Sequence, residues 1–256
     1  MASGLIPLAT LRLRAVILRR IPYGDTSWIL HVFSREEGAM GLMARGARRP
    51  KSPLAGALEP LGLSELEVMA KPGRDLQTLS QATALDSRDG LRTDLAAGAA
   101  AMVCVETVLR LVREPGEHRG VFNALEDAIS CLDRSGYGHA PLWRFLGRFS
   151  DEMGWAMAVD HCAQCGSEEI PPAPVLSLQQ GGFLCRACGT RSHEAPLPER
   201  IAGALRSAAG ATPFDTEPWS RPECEAMEDL WFEHLLRHAQ SRPRLETRQF
   251  LSEVRP

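Results

Sequence analysis

The sequence predicts an α+β multidomain chain: a small basic β-domain at the N-terminus, then an all-helical domain into which a four-cysteine zinc ribbon is inserted. Three observations carry this reading. Apolar residues recur with a period of two up to about Ala84 and of about 3.6 after Asp86. The first 80 residues hold 11 Arg/Lys against 7 Asp/Glu, while the remaining 176 hold 18 against 25. Two Cys-x-x-Cys pairs interrupt the helical part. At 256 residues, with 44% hydrophobic and 24% charged side chains, the chain can bury a core unaided, which excludes a disulfide mini-scaffold and a disordered tail.

In order along the chain, Leu11, Leu13, Ala15 and Ile17 alternate with Arg12, Arg14 and Val16, the pattern of a strand with one wet, cationic face. Trp28–Phe33 is a second strand, set between the turn-forming Tyr23-Gly24-Asp25 and Glu36-Glu37-Gly38. Gly41–Ala44, Leu61–Met69 and Leu76–Ala82 supply three more, and five short strands in about 80 residues leave no room for crossover helices, so a small barrel or sandwich is expected. Arg45–Pro53 interrupts the strands as a basic loop. Thr93 or Asp94 caps an Ala-rich helix that Glu114-Pro115-Gly116 stops. Val121, Leu125, Ala128, Ile129 and Leu132 share one face of a second helix, and Leu142, Phe145, Leu146, Phe149 and Met153 stack along a third that begins near Pro141 and ends at Gly154. Residues 197–209 and 222–240 are helical by the same criterion, the latter through Met227, Leu230, Trp231, His234, Leu235 and His238.

Cys162-x-x-Cys165 and Cys185-x-x-Cys188, 19 residues apart, can bring four thiolates to the corners of a tetrahedron around one structural Zn²⁺ per chain. Gly166 and Gly189 follow the two pairs and suit the tight turns that aim backbone amides at sulfur. Four sulfur ligands leave no open coordination position, so such a metal holds structure and does not activate water. His161 and His193 flank the segment as surface residues, and Cys104, Cys131 and Cys224 fall on apolar helix faces as small hydrophobes.

The second constellation is cationic: Arg12, Arg14, Arg19, Arg20, Arg35, Arg45, Arg48, Arg49 and Lys51, with Tyr23 and Trp28 as candidate stacking platforms. Only Lys51 and Lys71 of the 29 cations are lysines, and guanidinium groups pair with phosphates in a planar fork. Signatures of enzymes are missing: there is no GxxxxGK phosphate loop, no GxGxxG, no GxSxG and no HExxH, and the pairs Glu36-Glu37, Asp151-Glu152 and Glu168-Glu169 read as turns and helix ends. The longest uncharged apolar stretch, Leu95–Val105, is far short of the roughly 20 residues of a bilayer span. Met1–Thr10 has no positive residue ahead of its apolar stretch, so no secretory signal and no membrane are expected, and the cysteines are expected reduced in the cytoplasm.

The order basic barrel, helical domain, four-cysteine insertion resembles the RecO family of bacterial recombination mediators over essentially the whole chain. The residues that carry the likeness are Arg14-Ala15-Val16-Ile17-Leu18, Tyr23-Gly24-Asp25-Thr26, Phe33-Ser34 with Glu37-Gly38, and Arg45-Gly46-Ala47-Arg48-Arg49-Pro50-Lys51-Ser52. Leu58-Glu59-Pro60, the cysteine pairs, and Arg242-Pro243-Arg244 with Arg248, Phe250 and Leu251 complete it. Trp28 departs from the smaller residue more usual there, and Glu246-Thr247 breaks a tail that is more basic in relatives. The resemblance implies an OB-fold DNA-binding domain over residues 1–84, a helical domain over 85–159 and 194–256, and the zinc insertion over 160–193. It implies a non-enzyme that binds single- and double-stranded DNA, anneals strands, and works with RecR to load RecA onto DNA coated by single-strand DNA-binding protein. The acidic tail of that protein would dock on the helical domain, with RecF a further partner and the nucleoid the place of work. The rival readings are a zinc-ribbon module that touches only protein, and a metal-dependent DNA-processing enzyme.

Overall fold

The computed structural model describes residues 9–113, 116–210, 214, 217–239 and 243–255. The first eight residues, the Glu114-Pro115 stop, residue 240 of the last expected helix and Arg242 of the C-terminal motif lie outside them. The described chain forms two compact units, one ending at Tyr137 and one running from Gly138 to Arg255.

In the first unit, strands β1 (Ala9–Tyr23), β2 (Ser27–Ser34), β3 (Gly38–Ala44), β4 (Leu63–Ala70) and β5 (Leu76–Asp86) close a barrel in the order β1-β2-β3-β5-β4. Every pairing is antiparallel except β3 with β5, an OB-like arrangement. Closure rests on the length of β1. Its residues Ala9–Val16 pair with β4, and Ala15–Tyr23 pair with β2. The register shifts between Ile17 and Arg19, and an irregularity of this kind bends and twists a strand enough to let it serve two sides of a barrel.

Leu13, Ala15, Ile17, Leu30, Val32, Leu42, Ala44, Leu66, Val68 and Leu79 fill the interior with the expected period of two. Val16 was expected on the wet face with Arg12 and Arg14, but it is buried. The reason is a second layer outside the barrel: α2 (Leu95–Leu111) packs on β1, and the outward-facing Phe33 lies 6.4 Å from the rings of His118 and Phe122. Burying a phenylalanine in this way stabilises by roughly 1.5–3 kcal/mol. Phe122 belongs to α3 (Arg119–Ser135), whose stripe Val121, Leu125, Ala128, Ile129 and Leu132 is buried as its spacing requires. Ahead of these helices comes the single turn α1 (Gly90–Thr93), then Asp94, whose carboxylate accepts the N–H of Ala97 at 2.9 Å and of Tyr137 at 2.8 Å. One side chain thus caps α2 and ties down the chain leaving α3.

The second unit contains α4 (His139–Glu152), the hairpin β6 (Val175–Ser177) and β7 (Gly182–Leu184), α5 (Arg186–Gly189), α6 (Glu199–Ala208), α7 (Arg221–His238) and α8 (Glu246–Val254). Leu142, Phe145, Leu146 and Phe149 of α4 are buried, and Gly147 lets α4 meet α6 closely, since a Cβ there would stand 2.2 Å from the Ala208 carbonyl oxygen. A capping box of Ser220 and Glu223, with a proline in the first turn, starts α7. Helix α8 has too few apolar residues to show a period, so sequence patterning missed it. It is held by buried Leu251 and by Arg255, which forks onto Glu228 of α7 at 2.7 and 3.0 Å with both side chains 1% exposed. No described helix is long and apolar enough to cross a membrane.

Asp94→Ala should cost about 1 kcal/mol through loss of the cap. The N–H groups of Ala97 and Tyr137 hold the Asp94 carboxyl below its ordinary range, so this contribution is complete above the unfolded value of about 4 and vanishes as pH falls through the lowered folded value. Melting curves should therefore show a gap between wild type and variant at neutral pH that closes in acid.

Candidate nucleic-acid interface and metal centre

The basic loop that follows β3 is anchored from within. Ala47 is buried in the barrel core while its neighbours Arg45, Arg48, Arg49 and Lys51 are exposed. The Arg48 backbone N–H donates to the Thr26 carbonyl at 2.8 Å and its guanidinium to the Gly24 carbonyl at 3.0 Å, lacing the loop to the β1–β2 turn. The Arg48 and Arg20 guanidinium groups lie 5.1 and 5.0 Å from the centroid of the Trp28 ring. Trp28 itself is half-buried against the barrel core, so it serves the cations as a cation–π floor.

The remaining sequence-derived arginines do not all join this group. Arg12 and Arg14 sit directly across from Glu67 and Glu65 of β4, and Arg14 also bonds Glu126 of α3 at 3.0 Å. Arg20 bonds Glu59 at 2.7 Å. Arg35 is exposed beside Glu36, whose carboxylate accepts the Arg14 backbone N–H at 2.9 Å. Arg19 is exposed on β1 opposite His31. The strand arginines are thus partly matched by acids, whereas the loop cations Arg45, Arg48, Arg49 and Lys51 stand together on one anchored segment. Sequence patterning could not see this because the matching acids lie 22 to 112 residues away.

The four cysteines of the insertion do converge. The sulfur atoms of Cys162, Cys165, Cys185 and Cys188 lie within 4.8 Å of one another, Cys165 to Cys185 at 3.7 Å, and could hold a metal ion. Cys162, Cys185 and Cys188 are buried in a small core with Val175 and Leu184, while Cys165 is exposed. Burial opposes ionisation of Cys162, but backbone N–H groups of Cys185, Cys165 and Gln164 outweigh it and bring the thiol down to about 6. Burial and the three neighbouring sulfurs push Cys188 up to about 12, and a bound cation would favour the ionised form of all four thiols. The two glycines act differently. Gly166 turns the chain at φ +76°, as the sequence suggested, but Gly189 is a close approach, where a Cβ would meet Val175 at 3.2 Å. His161 pairs with Asp160 at 2.6 Å, and among the described residues no acidic pair belongs to a metal-holding cluster.

Arg206 of α6, which sequence reading did not single out, fastens the insertion to the helices. It lies 5.0 Å over the Phe183 ring and donates to the Val159 and Pro171 carbonyls at 3.4 and 3.3 Å. Cys104 is buried and burial pushes its thiol up, as it does for Cys224, so both behave as small hydrophobes.

The profile of the Recombination protein O N terminal matches residues 8–88, and that of the Recombination protein O C terminal matches residues 92–246. The chain belongs to the RecO family. Membership places it among DNA repair and recombination proteins. It is similar to the DNA repair protein RecO of Rubrobacter xylanophilus, 32% identical over 94% of this chain and 96% of the relative. It is likewise similar to that of Anaeromyxobacter dehalogenans strain 2CP-C, 32% identical over 96% and 97%, and to that of Salinibacter ruber, 35% identical over 67% and 65%. The resemblance seen in the sequence and the OB-like barrel agree with this assignment.

Arg206→Ala should loosen the insertion without unfolding the helices, at a cost of about 1–2 kcal/mol from the lost carbonyl bonds and ring contact. Hydrogen exchange should rise across residues 160–193 and stay unchanged in α4 and α7.

Proposed function

We propose that the chain is a non-catalytic recombination mediator that binds single- and double-stranded DNA through the barrel and anneals complementary strands. The observation that carries this is the anchored cation group Arg45, Arg48, Arg49 and Lys51, with Arg48 fixed to Gly24 and Trp28. Cations grouped on an anchored segment, with Arg48 itself held, offset the mutual repulsion of two phosphate backbones at a reduced ordering cost, which favours annealing. Arg12, Arg14, Arg19 and Arg35 add to the positive field of the barrel at longer range. By family likeness the protein works with RecR, with RecF as a further partner, to load RecA onto DNA coated by single-strand DNA-binding protein. The helical part would receive that protein's acidic tail. Its place of work is the cytoplasm, at the nucleoid.

The four thiols fit a zinc ion. Bonds of about 2.3 Å to a tetrahedral zinc put neighbouring sulfurs about 3.8 Å apart, and the Cys165–Cys185 separation is 3.7 Å. Bound there by Cys162, Cys165, Cys185 and Cys188, zinc would supply folding free energy to the insertion and no reactive position. The small core around the sulfurs, Val175, Leu184 and Ile170, is too thin to hold the hairpin alone.

Two outcomes test this reading. Arg48→Glu with Arg49→Glu should weaken binding to DNA of every sequence alike and flatten the dependence of affinity on salt, by about two units of slope if each contacts one phosphate. Unchanged affinity would favour a ribbon that touches only protein, and chemically altered strands would favour a DNA-processing enzyme. Metal analysis should find one zinc per chain, and Cys188→Ser or chelation should lower the melting temperature and raise exchange in residues 160–193.

A further inference from the structure

The four thiols of the insertion are not equivalent. Cys162, Cys185 and Cys188 are 1%, 7% and 3% exposed, whereas Cys165 is exposed together with its neighbours Gln164 and Gly166. The cause lies in how each knuckle is built. In the first, the Gly166 N–H donates to the Cys162 carbonyl at 2.8 Å and the Cys162 N–H to the Ser167 carbonyl at 2.7 Å, which closes a turn that carries Cys165 on its exposed side. The second leads from Cys185 straight into α5, so Cys188 lies inside a helical turn and Gly189 packs against Val175. Arg191 then folds back onto this knuckle. Its Nε donates to the Ala187 carbonyl at 3.1 Å and its Nη2 to the Cys188 sulfur at 3.8 Å. A guanidinium bonded to a thiolate offsets its charge and occupies a lone pair that would otherwise meet an electrophile.

Four sulfurs around one zinc leave no open position on the metal, so reaction with an electrophile falls to a sulfur, and accessibility selects which one. We infer that Cys165 is a modification site, the corner of the cluster at which peroxides and soft electrophiles react, with Cys185 as the thiol that resolves it and Arg191 shielding Cys188. The inference rests on the reading that the four thiols hold zinc. With a peroxide, the Cys165 sulfur takes one oxygen, the O–O bond breaks, and the other oxygen leaves as water after taking a proton from solvent. The sulfenic acid so formed has the Cys185 sulfur as a close neighbour, 3.7 Å away in the intact cluster. Attack by that sulfur forms an S–S bond and releases the sulfenic oxygen as a second water, again with a solvent proton. The two sulfurs together give up two electrons, and one peroxide becomes two waters. Cys162 and Cys188 then remain as two ligands, too few for a structural tetrahedral site, and the insertion loses the metal together with the folding free energy it supplies.

The test uses the full chain, first assayed for bound zinc by metal analysis. A brief pulse of N-ethylmaleimide followed by peptide mass mapping should label Cys165 about tenfold or more ahead of Cys162, Cys185 and Cys188. Hydrogen peroxide should give a Cys165–Cys185 disulfide, release zinc to a colorimetric chelator in step with it, and raise hydrogen exchange across residues 160–193 while α4 and α7 stay protected. Dithiothreitol with added zinc should reverse all three changes. Arg191→Gln, which keeps every thiol in place, should speed labelling of Cys188 and leave that of Cys165 unchanged; no change at Cys188 would remove the shielding role of Arg191. Equal labelling of the four thiols, first labelling at a buried cysteine, or zinc loss without a bond between Cys165 and Cys185 would overturn the inference and leave the zinc reading intact. A chain that never carries zinc sinks the zinc reading itself, and this inference with it.

Discussion

The first unit depends on one strand being hydrogen-bonded along both edges. β1 is 15 residues long, and its middle, Ala15 and Val16, pairs with β2 and β4 at once. Without that double pairing the sheet would have two open edges and the inward side chains would share no common interior. With it, Leu13, Ala15 and Ile17 are fixed at the centre of the core, and the strand's far end carries Arg19, Arg20 and Tyr23 to the β1–β2 turn. That turn in turn receives Arg48, so barrel closure helps to place the basic loop, together with the loop's own turns and buried Ala47.

Charge is spent unevenly across the chain. Arg14 with Glu126, Arg20 with Glu59 and Arg255 with Glu228 are structural pairs that fix elements to one another. Arg88 is buried at φ +52° near Asp86 and Glu126, and burial lowers its affinity for its proton despite those acids. Among the described residues the cations of the loop form no ion pair with a carboxylate, and Arg48 uses a carbonyl and a ring, neither of which cancels its charge. This is the physical distinction between arginines that hold the fold and arginines that can meet phosphate. It divides residues which composition treats as one class.

The four-cysteine cluster shows the opposite economy. All its chemistry is local: two knuckles, a short hairpin and amides aimed at sulfur, with Arg206 and backbone bonds from Ala158 and Leu197 tying it to the flanking chain. A cluster built within about 30 residues needs no distant segment to assemble, so the convergence of its four thiols follows from spacing alone. The anchorage of the basic loop on the barrel, by contrast, needs strands brought together from across the first unit.

Five strands, a cap at Thr93 or Asp94, the stripes of α3 and α4, the basic loop and the pairing of the four cysteines were all legible in the sequence, because each is written in local periodicity or fixed spacing. What lay beyond it depended on contacts between distant residues. Val16 is dry because α2 covers β1, and α8 exists because Arg255 and Leu251 find a seat on other elements. Arg12 and Arg14 face acids because the register of β4 puts Glu67 and Glu65 opposite them. Gly189 makes a close approach to Val175 rather than a left-handed turn. The sequence by itself determined the five barrel strands, the main amphipathic helices, the class of fold and the thiol site. Only the tertiary structure decided which cations are left uncompensated and which faces stay open, since a charge or an apolar row is neutralised or covered by partners that no local pattern announces.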